Sequence, residues 1–224
     1  MVTLNPTEPW KPALRMLRQA KQLGLEVVVA VDSRTTEEGK SAVRAVADRY
    51  IDFQNTTAWP EGALNRLLDE ARGSWAFILS DDEEPSAGLW DFVLKDPPVI
   101  SRDRTHYIWR CRMLAPLPDW SAHYAVLDTY QPRYFEREAI RWPGGFDEQP
   151  VSRAKEIDFD FVLWHYTLWS PRAHRQAKIV LHENAWNANW KSHPWPFPGR
   201  ASYLYEDHPE KYASLTEWEG QRPQ

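Results

Sequence analysis

The chain has 224 residues, of which 42% are hydrophobic, so it is long enough to bury the core of one domain. Its net charge is −5 and its basic residues form no dense block, which argues against nucleic acid as the main partner. A single cysteine, Cys111, excludes an internal disulfide. Because there is also no export signal and no apolar stretch near the ~20 residues of a membrane span, we expect a cytoplasmic protein without a transmembrane segment.

The first part of the chain alternates apolar runs with amphipathic segments. Strands are predicted at 1–5, 25–31, 51–53 and 74–80, and helices at 6–24, 37–50, 61–73 and 85–95. Strands that alternate with helices in this way predict an α/β fold with a mostly parallel sheet and helices on both faces.

The rest of the chain predicts a smaller, mixed subregion. Strands are expected at 105–114, 130–138 and 159–166, a loop at 141–151 and a helix at 170–183 that begins with a serine cap and a proline. An aromatic tail, rich in proline and polar residues, follows. We expect one domain, 1–224, with two halves at 1–96 and 97–185 and the tail at 186–224.

Four consecutive carboxylates, Asp81 to Glu84, directly follow the predicted strand 74–80, and Asp32 follows another. Ligands of open α/β sheets bind beyond the carboxyl ends of the strands. Hard cations such as Mg²⁺ and Mn²⁺ prefer carboxylate oxygens, so the acidic stretch indicates a metal site. Asp32 can accept a hydrogen bond from a ribose or base. The alternatives are a solvated acidic loop before the next helix, and an Asx turn or helix cap at Asp32.

Basic residues and a histidine follow the last predicted strand. Arg172, Arg175 and Lys178 are spaced by three and share one stripe of the predicted helix, which can clamp a diphosphate. A solvated helix face is the alternative. His165 ends an apolar run, and it is either a metal ligand or a buried, hydrogen-bonded histidine.

Two further features indicate substrate chemistry. The glycine turn 144–150 carries Asp147 and Glu148, and a carboxylate on a loop over a crevice is a candidate general base, with a plain turn as the alternative. Sugar rings stack on aromatic faces, although core packing is the commoner role of tryptophan. The candidate stacking residues in the tail are Trp186, Trp190, Trp195 and Phe197.

Residues 64–83, "LNRLLDEARGSWAFILSDDE", resemble a segment of the family 2 glycosyltransferases, which have a GT-A fold. That family carries a helix asparagine, a glycine eight residues later, an apolar strand and an Asp-x-Asp motif, and Asn65, Gly73 and 80–82 fall at this spacing. The segment 27–33, "VVVAVDS", is similar to the family's second strand with its nucleotide-contacting aspartate, which would be Asp32. The likeness is continuous from about residue 25 to 96.

From residue 130 to 180 the likeness is patchy. The segment 140–151 looks like the region where related enzymes often carry Gly-x-Val-His-Glu, and 161–178 is similar to their His-Tyr…Ser…Arg…Lys segment. Ser80 replaces the first aspartate of Asp-x-Asp, so Asp82 would be the principal metal ligand, helped by Asp81.

The resemblance implies a metal-dependent inverting glycosyltransferase that moves a sugar from a nucleotide-diphosphate sugar, such as a UDP-sugar, to a carbohydrate or other hydroxyl-bearing acceptor. Asp82 and His165 would hold Mn²⁺ or Mg²⁺, and Glu148 or Asp147 would deprotonate the acceptor. The donor-binding residues would be Asp32, Asn65, Asp81, Arg172, Arg175 and Lys178.

Two other functions stay open. The first is a non-catalytic carbohydrate- or nucleotide-binding protein on a degenerate GT-A fold, which the substitution at Ser80 motivates. The second is another metal-dependent enzyme acting on diphosphates, such as a nucleotidyltransferase. This second function is the weaker one, since "NPTEPWKP" after the first strand is not a Gly/Arg/Lys-rich phosphate loop.

Overall fold

The computed structural model describes residues 2–4, 10–54, 61–95, 107–142, 151–152, 154–189, 204–207 and 209–222. Their strands are β1 (Val2–Leu4), β2 (Val28–Asp32), β3 (Arg49–Phe53), β4 (Trp75–Phe77), β5 (Leu79–Ser80), β6 (Glu83–Pro85), β7 (Tyr107–Leu114), β8 (His123–Tyr124), β9 (Thr129–Glu136), β10 (Ile140–Arg141), β11 (Val151–Ser152), β12 (Lys155–His165) and β13 (Tyr212–Ala213). Their α-helices are α1 (Trp10–Gln22), α2 (Glu37–Arg44), α3 (Glu61–Glu70), α4 (Ala87–Leu94) and α5 (Arg172–Asn189).

A parallel sheet organises the first part of the chain, with strand order β3-β2-β1-β5. Successive side chains of the buried strand β2 point to opposite faces of this sheet. Val29 and Val31 pack in one core cluster with residues of α1, α2 and α4, whereas Val28 and Ala30 pack in another with α3. Helices therefore cover both faces, and the predicted α/β class is confirmed.

A mixed sheet carries most of the remaining strands, in the order β4-β9-β7-β12-β6. Its β7–β12 pair is parallel, and its other pairs are antiparallel. The mixed character predicted for the second half is confirmed, although two of these strands, β4 and β6, come from the first half. Both sheets together are compatible with a GT-A-like architecture.

Most predicted elements differ from the observed ones by a few residues at one or both ends, and two of the differences bear on the course of the chain. The helix predicted at 37–50 ends at Arg44. By Asp48 the backbone already pairs with β2's neighbour Val27, because Asp48 N–H donates to Val27 O at 2.9 Å, and β3 begins at the next residue. The strand predicted at 74–80 is two strands, β4 in the mixed sheet and β5 in the parallel sheet. The break lies at Ile78, whose N–H still donates to the mixed sheet at Arg133 O.

The described part of the C-terminal tail packs on the mixed sheet. Leu215 and Trp218 are buried in a cluster with residues of β7 and β12. Gln221 Oε1 accepts from Val162 N–H at 3.0 Å and from Ser86 Oγ at 3.2 Å, next to the irregularity in β12 between 159 and 162. Gln221 therefore satisfies backbone groups that an unbroken strand would pair. Within the described residues, no helix is long and apolar enough to cross a membrane.

Replacing Gln221 with alanine should lower the free energy of unfolding by about 1–3 kcal/mol, because the buried Val162 N–H and the Ser86 hydroxyl lose their hydrogen-bond acceptor. Urea unfolding followed by circular dichroism measures this. Glu217→Ala, an exposed change in the same segment, is the matched control and should alter stability by less than about 0.5 kcal/mol. Equal effects of the two changes would contradict the role of Gln221.

Candidate functional site

The acidic stretch 81–84 lies where the two sheets meet. β5 ends at Ser80 in the parallel sheet and β6 begins at Glu83 in the mixed sheet, so Asp81 and Asp82 form the turn between them. All four carboxylates are buried, and Asp82 is only 8% exposed. The alternative of a solvated acidic loop is therefore wrong, since buried charges need partners inside the protein.

Two of the four carboxylates are committed to structural partners. Glu83 Oε1 accepts from Arg133 Nη2 at 2.5 Å. Glu84 Oε2 accepts from Arg15 Nη2 at 2.6 Å and from the Tyr166 hydroxyl at 2.8 Å. Burial and the neighbouring Glu84 raise the pKa of Tyr166, so the phenol stays protonated and continues to donate. These contacts fasten the acidic turn to α1, β9 and the end of β12.

Asp82 meets two of the predicted site residues. His165 Nε2 lies 3.1 Å from Asp82 Oδ2, and Lys178 Nζ lies 3.7 Å from the same oxygen. Burial alone would raise the pKa of the Asp82 carboxyl, but His165 and Lys178 hold it well below its usual range. The end of β12 and the second turn of α5 thus bring together three residues that are far apart in sequence.

The imidazole of His165 has one uncommitted nitrogen. Its Nδ1 is buried and has no hydrogen-bond partner among the residues that the structure describes. An unpartnered buried polar atom is costly, and Nδ1 shares this state with seven other buried side-chain atoms of the described residues. No cluster of three or more histidine, cysteine, aspartate or glutamate side chains suited to a metal occurs in the described ranges. A cation held by both Asp82 and His165 would have to replace the hydrogen bond between Asp82 Oδ2 and His165 Nε2.

The basic stripe of α5 divides in two. Arg175 is 3% exposed, donates to Leu168 O at 2.9 Å and to Ser170 O, and pairs with Glu206. Arg172 Nη2 pairs with Asp207 Oδ2 at 2.6 Å. The alternative of a solvated helix face is therefore wrong for Arg175. Both arginines hold segment 204–207 on α5, and diphosphate binding by either of them stays a prediction.

Asp32 and Asn65 lie in other parts of the fold. Asp32 is buried at the end of β2, accepts from the backbone N–H of Arg34 at 2.9 Å in an Asx turn, and binds the Arg34 guanidinium with both oxygens. Burial alone would raise the pKa of Asp32, but Arg34 holds it below its usual value. Asn65 Nδ2 donates to Trp142 O at 2.7 Å, and Trp142 N–H donates to Asn65 Oδ1 at 3.0 Å. Donor binding by Asp32 and Asn65 stays a prediction.

Several predicted residues lie outside the described ones. They are the two candidate bases, Asp147 and Glu148, the tail residues Trp190, Trp195 and Phe197, and the side chain of Trp186. Sequence reasoning missed a cluster of three aromatic residues that includes Tyr166, the residue after His165, together with Trp120 and Trp169. The sequence pattern that could have indicated them is the run "HYTLW" after the apolar strand, since Tyr166 and Trp169 lie within four residues of His165.

Comparison with known proteins gives weak likenesses. No protein-family model matches the chain, and no curated protein sequence matches it. S. aureus TarS 1–349 is 12% identical with a TM-score of 0.45, over 92% of this chain and 71% of that one. A longer S. aureus TarS structure is 11% identical with a TM-score of 0.47, over 84% of this chain and 39% of that one.

A further solved structure, HddC from Yersinia pseudotuberculosis, is 11% identical with a TM-score of 0.38, over 67% of this chain and 75% of that one. This chain spans well under half of the longer TarS structure.

Replacing Asn65 with alanine should lower the free energy of unfolding by about 1–3 kcal/mol, because both hydrogen bonds to the Trp142 backbone are lost. Thermal and urea unfolding measure the change. Arg66→Ala is the matched control, one residue along the same helix and exposed, and should cost less than about 0.5 kcal/mol. A neutral Asn65→Ala change would show that this contact does not hold the fold.

The lowered pKa of Asp82 makes stability depend on acid pH. The ordinary pKa of an aspartate is 3.8, and in the folded state Asp82 stays charged at pH values below that. Its stabilisation is therefore present above about pH 4 and is lost as the pH falls further. Asp82→Asn should therefore flatten the decline of the unfolding free energy below about pH 4. Asp52→Asn, which changes an exposed carboxylate, should leave that decline nearly intact. Parallel curves for wild type and Asp82→Asn would contradict the assignment.

Proposed function

We propose that the protein is a metal-dependent inverting glycosyltransferase that transfers a sugar from a nucleotide-diphosphate sugar to an acceptor hydroxyl. The supporting observation is the group formed by Asp82, His165 and Lys178 at the junction of the two sheets. It lies beyond the carboxyl end of a parallel strand, where α/β folds bind ligands. A carboxylate and an imidazole beside an ammonium group suit a ligand that carries both a cation and phosphates.

The residues present fit Mn²⁺ or Mg²⁺. Such ions are usually held by one or two carboxylates, with substrate phosphates and water completing the coordination. Asp82 and His165 would hold the ion, which would neutralise charge developing on the leaving diphosphate. Lys178 approaches the same oxygen of Asp82 as His165 does, and it would place a further positive charge near the departing diphosphate.

The remaining roles follow from the family resemblance. Asp32 would contact the nucleoside, with Asn65 and Asp81 supporting the donor site. Glu148 or Asp147 would take the proton of the acceptor hydroxyl. The acceptor oxygen would then attack the anomeric carbon from the face opposite the leaving group, and the nucleoside diphosphate would depart with the electrons of the broken bond.

A non-catalytic binding protein is the second candidate, and a specific observation favours it. The charge of Asp82 is compensated within the protein by His165 and Lys178, and Ser80 occupies the first position of Asp-x-Asp. A site of this kind can hold a ligand without turning it over. Metal-dependent hydrolysis or transfer from a UDP-sugar distinguishes the two candidates.

Calorimetric titration of UDP and of GDP, with Mn²⁺ and then with EDTA, tests the proposed site. We expect metal-dependent binding that Asp82→Ala abolishes and Lys178→Ala weakens about tenfold or more, since a charge-assisted contact is lost. Lys21→Ala removes a lysine that pairs with Asp48 elsewhere on the fold, and it should leave binding unchanged.

Absence of binding of both nucleotides under every condition would overturn the nucleotide-sugar site. Binding that Asp82→Ala leaves unchanged would place the nucleotide elsewhere. Metal-dependent binding without any turnover of a panel of nucleotide sugars would favour the non-catalytic candidate.

A further inference from the structure

Three aromatic side chains form a cluster that includes Tyr166, the residue after His165. We call Trp120, Tyr166 and Trp169 the aromatic platform. The Tyr166 and Trp169 ring centroids are 4.7 Å apart, and Trp120 lies 5.8 Å from Trp169 and 6.3 Å from Tyr166. Tyr166 directly follows His165 in the chain, and its backbone N–H donates to Asp82 O at 2.7 Å. The platform therefore begins at the candidate site itself.

The outer member of the platform is open to solvent yet held in place. Trp169 is 43% exposed and is the largest of the three exposed large apolar side chains among the described residues. Its Nε1–H donates to Pro116 O at 3.1 Å, so the orientation of the indole is fixed. A fixed, exposed aromatic face binds flat apolar surfaces with little loss of conformational entropy.

The backbone of Trp120 is strained in a way that supports a binding role. Its φ of 59° is in the left-handed region, where a bulky non-glycine residue is an outlier. Surrounding contacts hold it there: Trp120 N–H donates to Leu117 O at 2.9 Å, and Arg222 Nη2 donates to Trp120 O at 3.1 Å. The Arg222 guanidinium also lies 5.3 Å from the Trp120 ring centroid. Strain that is maintained in this way is concentrated at ligand sites.

The same turn supplies a polar rim. Asp119 and Ser121 are exposed on either side of Trp120 in the chain. Asp119 Oδ1 accepts from Ser121 N–H at 3.0 Å and from Ser121 Oγ at 2.7 Å, and a carboxylate has further acceptor sites for hydroxyl groups. Asp119 and Arg222 carry opposite charges, so the rim offers a neutral polyhydroxyl ligand both a hydrogen-bond acceptor and a donor.

We propose that the aromatic platform is a binding site for one pyranose ring of a carbohydrate acceptor. The apolar C–H face of the ring would stack on Trp169, and its hydroxyl groups would donate to Asp119. The assignment of this ring to the acceptor rests on the proposed transferase function. Stacking itself depends only on the platform, so the two ideas can fail separately.

The test uses the ¹⁵N-labelled full chain and four probes: the methyl β-glycosides of glucose, galactose, mannose and N-acetylglucosamine. The indole N–H signal of Trp169 is assigned from its disappearance in Trp169→Tyr. We expect at least one glycoside to shift this signal saturably, with a dissociation constant in the millimolar range typical of a single small ring.

Ligand-observed saturation-transfer spectra then compare affinities among variants. Trp169→Ala should weaken binding about tenfold, whereas Trp169→Tyr, which keeps an aromatic face, should stay within about threefold of wild type. Leu94→Ala is the matched control, because Leu94 is another exposed apolar side chain at 41% and lies outside the platform. Unfolding midpoints of all variants show that each one folds.

Two results would overturn the inference. One is the absence of a saturable shift of the Trp169 signal with all four glycosides. The other is a shift produced by UDP or GDP and by none of the glycosides, which would make the platform a nucleobase site. Because nucleotide binding is measured separately on Asp82 variants, a failed sugar titration and a failed transferase proposal are distinguishable.

Discussion

The cost of burying four adjacent carboxylates between two sheets governs the structure around the site. Charges leave water only when partners inside the protein replace the lost hydration. Arg133 and Arg15 serve Glu83 and Glu84, while His165 and Lys178 serve Asp82. Each partner comes from a different element, so the acidic turn can be buried only when the surrounding elements are in place.

This compensation also sets what the site can do. The glutamates, whose charges are met by arginines, act as structural fasteners between α1, β9 and the turn. Asp82 is met instead by an imidazole and an ammonium group, both of which can exchange partners when a ligand arrives. Glu83 and Glu84 therefore have a structural role, whereas Asp82 is the carboxylate of this stretch that can bind a ligand at the junction of the sheets. Sites built on fixed elements hold their geometry well.

The C-terminal tail stabilises the same region from the other side. Arg175 and Arg172 hold segment 204–207 on α5, and Gln221 completes the hydrogen bonds of β12 where that strand is irregular. α5 carries Lys178 and β12 ends in His165, so the tail supports both partners of Asp82. The sequence predicted one basic stripe, but Arg172 and Arg175 hold the tail in place, and Lys178 contacts Asp82 at the candidate site.

The amino-acid pattern alone was enough for the α/β class, for β2 and for the helices α3 and α5, since side-chain periodicity and caps act over neighbouring residues. It also identified Asp82, His165 and Lys178 as candidates. Tertiary structure alone decided that 74–80 divides between two sheets, that Asn65 binds Trp142, 77 residues away, and that Trp120 joins Trp169. The physical reason is that strand pairing and charge compensation depend on which distant residues meet, and local periodicity carries no information about that.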